Sequence, residues 1–221
     1  SLDNFFSFMD ERNEARMQAR VARRNAQGKD LRLRYRLLIH DLLPQDDGFV
    51  MLAEAYFPVY VSRTYSAFPN GWRPTGRNRR GRFYDQPRLI FDGYRYTHAV
   101  LASIDMSGEI KWDHAFEIDQ VKTYNLKEQV RVTEDAQPFS LVYMLNDQIH
   151  YTTLQEDEVL VSAATDQIKS SSEDDLVKRT ERSTTDYWYG RYFLAYGYQK
   201  IKNTTDASEV RKVFFINKLK Y

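Results

Sequence analysis

The stretch that most constrains this chain is Tyr94 to Ile118, YRYTHAVLASIDMSGEIKWDHAFEI. Two apolar runs flank a Ser107-Gly108 turn. In the second run Ile110, Trp112, His114, Phe116 and Ile118 fall on one side and Lys111, Asp113, Ala115 and Glu117 on the other. That period of two predicts a strand with one buried face, hairpinned to the run before it. A chain organised around such a hairpin is expected to add further antiparallel strands to it. At 221 residues and 42% hydrophobic content there is material for one large β domain.

Other segments fit that expectation. Leu31, Leu33, Tyr35 and Leu37 alternate with Arg32, Arg34 and Arg36, so 31–43 begins as a strand. A turn is expected at Pro44–Gly48. Phe49–Phe57 (FVMLAEAYF) is apolar on both faces and predicts a central strand. Glu54 inside it must find a partner such as an arginine or backbone N–H, lie at an exposed strand end, or serve a function. Further along, a short strand is expected at Gln129–Thr133 and a firmer one at Phe139–Leu145. Asn146-Asp147 turns into Gln148–Leu154. The polar, acidic 155–187 reads as a loop region with one short strand near Val159–Ala163. Trp188–Ile201 and Val210–Leu219 read as aromatic strands. The one helix is expected at 3–26, capped by Asp3 or Asn4 and stopped by Gly28. Its Arg12, Arg16, Arg20, Arg23 and Arg24 form either a solvated face or a basic docking face.

Pro58–Arg88 reads as a long inserted loop. It holds four prolines and the run TGRNRRGRF at 75–83. Arginines interleaved with aromatics suit partner binding, and Arg77, Arg79, Arg80, Arg82 and Trp72 are the candidates there. With Arg12 and Arg16 they make up the expected partner-binding set. Charge is uneven along the chain: residues 1–100 hold 17 Lys+Arg against 11 Asp+Glu, within a net charge of only +1. So small a total argues against global steering toward nucleic acid or membrane.

Catalytic and metal signatures are not found. The chain has no cysteine, which excludes disulfides, thiolate zinc sites and a thiol nucleophile. His40, His98, His114 and His150 make no HxH or HExxH spacing. His98 and His114 read as core histidines; a metal site of His98, Glu54 and Asp92 needs tertiary proximity. Asp46-Asp47 and Asp174-Asp175 read as solvated turn residues rather than an acid–base pair. No cofactor is expected. No apolar run reaches the roughly 18 residues of a membrane helix. The start, SLDNFFSF, is not a signal peptide and lacks an initiator methionine, which predicts a piece of a longer chain.

Asp105-Met-Ser-Gly108-Glu-Ile110-Lys-Trp112, D-x-x-G-x-I-x-W between two strands, resembles the outer hairpin of a β-propeller blade, and DGFVMLAEAY its middle strand. HDLLPQDDGFVMLAEAYFP, FDGYRYTHAVLASID, WYGRYFLAYGYQKIKN and VFFINKLKY together resemble the C-terminal part of uncharacterised envelope proteins of Bacteroidetes. That resemblance covers most of 31–221 and implies a secreted, periplasmic or envelope-associated setting, with no catalytic motif.

The expected architecture is therefore mainly β, with antiparallel sheets in propeller-like blades and one N-terminal helix. The helical segment is 1–30 and the β domain 31–221. One blade is clear and the second half supplies at most another, too few to close a ring. That describes either the end of a larger propeller or a sandwich or open sheet. The expected function is a non-catalytic assembly module of a bacterial envelope complex, acting by protein–protein recognition. The alternatives are a glycan- or nucleic-acid-binding module and a hydrolase with an unrecognised His/carboxylate site.

Overall fold

The computed structural model describes residues 9, 11–28, 36–63, 88–118, 121–135, 137–145, 147–156, 158–168, 175–203 and 210–221. Among these the molecule is mainly β, with antiparallel sheets and one helix, α1 (Glu11–Ala26). Acidic residues in the first turn of α1 and Arg23 and Arg24 in the last suit the helix dipole. The expected caps Asp3 and Asn4 lie outside the described residues.

The first sheet contains β1 (Arg36–Ile39), β2 (Leu43–Gln45), β3 (Gly48–Arg63), β4 (Arg88–Asp105), β5 (Ile110–Glu117) and β6 (Lys122–Thr123). Its order is β1-β3-β4-β5, with β2 continuing the edge along β3 and β6 pairing β4. The expected turn at Pro44–Gly48 narrows, because Pro44 and Gln45 pair with Phe49 and Gly48. Proline is tolerated there because β2 is an edge. The hairpin forms as read, with Leu101 opposite His114 and Ala99 opposite Phe116. Asp105 Oδ1 accepts from the Ser107 and Glu109 N–H groups and closes the turn. The sheet is buried on both sides, as the doubly apolar run of β3 leads one to expect, and only the one-sided reading of β5 is corrected, at buried Asp113. Ala53, Ala55, Val100, Ala102 and Asp113 are buried on the second face as well.

The second sheet is a meander of β7 (Arg131–Val132), β8 (Phe139–Leu145), β9 (Gln148–Gln155) and β10 (Glu158–Gln167). The third is β11 (Asp175–Tyr189), β12 (Tyr192–Asn203) and β13 (Val210–Lys220). Two readings of the sequence are corrected here. Residues 155–187 hold more strand than the one expected near Val159–Ala163, which lies within the longer β10, since most of β11 falls there as well. β11 is an edge strand in which Lys178, Arg179 and Arg182 are exposed and Thr180, Thr184 and Thr185 take positions that apolar residues would otherwise mark, which hides the apolar alternation. The expected strand Trp188–Ile201 breaks at Gly190, whose φ of 53° turns β11 into β12.

The three sheets stack. Val50, Leu52, Leu101 and Phe116 of the first pack against Phe139, Leu141 and Tyr143 of the second. Val142 and Ile149, on the opposite face of the second, pack against Phe193, Ala195 and Tyr221. The apolar run of β8 thus serves two cores, which is why it does not alternate. Three blade-like meanders lie in series, one more than the sequence suggested, and they close no barrel or ring among the described residues.

Candidate functional site

A buried carboxylate with several partners lies where the first two sheets meet. Glu54 is fully buried on the core face of β3. Its Oε1 is 2.9 Å from His40 Nε2 and accepts from the N–H groups of Gln129 and Val130, each at 2.8 Å. His40 occupies the gap between β1 and β2. Gln129 and Val130 lead into β7. A carboxylate from one sheet therefore satisfies backbone donors of the segment entering the next. Of the three fates open to Glu54, the structure selects the partnered one.

Beside this joint is a cleft of about 290 Å³ bordered by His40, Glu128, Arg131, Asp186 and Tyr187. Arg131 spans it, donating from Nη1 to Glu128 at 2.8 Å and from Nε to Asp186 at 3.0 Å. Asp186 also accepts from the Tyr196 hydroxyl at 2.5 Å, which holds that phenol above its ordinary range. The cluster links β7 to β11, and Arg131 is already committed to two carboxylates. The chemistry of the cleft is that of a polar fastening between sheets.

The second feature is a ribbon. β1 pairs with β3 only as far as Tyr56, and β5 and β6 pair with β4 only from Tyr94 onward. Beyond Pro58 and Tyr94 the two long strands have only each other as ladder partners among the described residues, from Tyr60–Phe91 to Arg63–Arg88. The expected loop thus gives up both ends to regular strand. Pro58 fits because a register shift separates its pair from the next. The ribbon is apolar in the open: Tyr60 is 55% and Leu89 71% exposed. The rings of Tyr60, Phe91 and Tyr94 meet edge to face in series, at 5.8 and 5.0 Å.

The expected partner-binding residues fall into two groups. Arg12 and Arg16 are exposed on α1, and Arg16 shares its face with Arg20 and Arg23. Trp72, Arg77, Arg79, Arg80 and Arg82 lie outside the described residues, in the segment joining the ribbon strands. The imagined His98–Glu54–Asp92 site does not assemble. Glu54 pairs with Ala99 and His98 with Ala55, so the two point to opposite faces of the sheet. Asp92 instead meets Lys122 at 2.6 Å. No metal-holding group of three occurs among the described residues. His98 is a buried core histidine whose pKa burial lowers to about 4. Asp46 and Asp47 are turn residues as read, and the Lys111 ammonium keeps Asp47 below the usual carboxylate range. Asp175 is corrected: it is buried and ion-paired to Arg211 at 3.3 Å.

Sequence reasoning missed Tyr60, because the prolines of 58–88 made that segment read as loop, and it left Leu89 and Phe91 unassigned between the loop and the hairpin. VYVSR (59–63) and RLIF (88–91) do carry β-branched and aromatic residues, the signal that was available. No helix among the described residues is long and apolar enough to cross a membrane. Compared with family models, curated proteins and solved structures, the chain finds no match.

Proposed function

We propose that this chain is a non-catalytic assembly module of a bacterial cell-envelope complex, acting by protein–protein recognition. The observation that carries the reading is the β3–β4 ribbon, which holds aromatic and aliphatic side chains in solvent. Exposed apolar groups on a regular, hydrogen-bonded element are characteristic of contact surfaces rather than of solvated loops. The intervening segment adds Trp72, Arg77, Arg79, Arg80 and Arg82, residue types that anchor interfaces. Arg12 and Arg16 offer a second basic contact on α1. The periplasmic or envelope setting rests on the sequence resemblance alone.

The test is affinity capture from gently solubilised cells, read by mass spectrometry, with wild type beside two variants. One lacks residues 73–88; the other carries Tyr60→Ser and Phe91→Ser. A stoichiometric envelope partner that is retained by wild type and lost by both variants supports the reading. A partner retained by both, or wild type captured alone, overturns it.

A further inference from the structure

The third sheet has one face against the second sheet and one turned away. Strand register assigns them. Phe193, Ala195 and Ile201 of β12 point inward with Leu219 and Phe215 of β13. Tyr196, Tyr198, Phe214 and Ile216 point outward, and Phe214 and Ile216 are 57% and 61% exposed. The ring of Phe214 meets that of Tyr198 edge to face at 5.5 Å and lies 6.4 Å from that of Tyr196. The outward face thus has a continuous aromatic and aliphatic centre, of the same kind as the inward face that is already covered.

We propose that this face docks a β-sheet face of a different polypeptide, apolar at its centre and bordered by carboxylates. Two observations select that occupant. The first is continuity: in this molecule sheet packs on sheet twice over, and the outward face presents the surface a further sheet would meet. The second is charge. The outward positions carry Arg179, Lys200, Lys202, Lys212, Lys218 and Lys220 against Glu181 and Asp186, and Asp186 is already held by Arg131. Two copies of so basic a face repel each other, which disfavours self-association, while carboxylates opposite it attract. Nucleic acid fits less well. Tyr198 and Phe214 offer rings for stacking, but Glu181 stands among the cations, 3.3 Å from Lys200 and 3.1 Å from Lys212, so a carboxylate occupies two of the charges that phosphates would need, and aliphatic Ile216 and Val210 add no stacking surface. Lys218 lies 3.8 Å from the Tyr192 ring centre, which fixes one border cation in place.

This surface shares no residue with the ribbon, so failure of either reading leaves the other standing. The experiment replaces Phe214, or separately Ile216, by the photo-cross-linker p-benzoylphenylalanine in cells making the protein. Cross-linked peptides are then sequenced. The expected product is one foreign polypeptide, joined within an alternating apolar segment that has Asp or Glu within a few residues. Lys218→Glu with Lys220→Glu is expected to cut its yield at least tenfold while the circular dichroism stays unchanged. Cross-links to a second copy, to lipid or to nucleic acid overturn the proposal. So does a yield indifferent to the charge reversal, or no cross-link at all.

Discussion

Glu54 joins two sheets through one oxygen, so its removal should be felt far beyond its own strand. Glu54→Ala leaves two buried N–H groups and His40 without their acceptor. We expect a loss of about 3 kcal/mol in chemical unfolding; a change within about 0.5 kcal/mol, the range of an ordinary surface substitution, would remove Glu54 from this role. His98 gives a pH signature. Its folded pKa of about 4 lies below the unfolded value of about 6.5, so the unfolded chain takes up the proton first. The stabilisation is complete above pH ~6.5 and is lost as pH falls toward 4. Between pH 7 and 4.5, wild type should lose about 2–3 kcal/mol more than His98→Gln. Parallel stability–pH curves would contradict this. The buried state of His98 was legible from its alternating apolar neighbours. The partnership of Glu54 was legible only as a need, because Gln129 and Val130 are some 75 residues away and donate through backbone, which no side-chain pattern advertises.

At the scale of elements, close backbone approach sets β3 against β4. A Cβ on Gly48 would stand 2.1 Å from the Ile104 carbonyl oxygen. Gly48→Ala must therefore push the two strands apart. We expect it to cost about 2 kcal/mol, measured by thermal or urea unfolding, while the control Gly108→Ala meets nothing within 4 Å and costs less through its turn geometry alone. Equal losses would show that the approach at Gly48 is not tight. The elements most readily read from sequence were those with one buried face or two: β3, β5, β8 and β13. The ones missed were the polar length of β11 and the ribbon ends of β3 and β4, while β10 was read only in part, as a short strand near Val159–Ala163. These are edges or solvent-facing pairs, where backbone hydrogen bonds form the strand and side chains need not alternate.

For the whole molecule, serial stacking explains both what is stable and what is available. The second sheet is enclosed between two cores. The ribbon and the outward face of the third sheet keep apolar side chains in solvent. The hairpin foretold the blade-like unit; the number of units was hidden in the polar strands between 155 and 187. That these surfaces are built for partners is tested most directly by hydroxyl-radical footprinting of the chain in intact cells that make it, beside the purified protein. Tyr60, Phe91, Phe214 and Ile216 are expected to be oxidised several-fold less in cells than in the purified protein, while exposed Met106 in the hairpin turn reacts equally in both. Equal oxidation of all five residues would mean that nothing covers them, and would contradict that expectation.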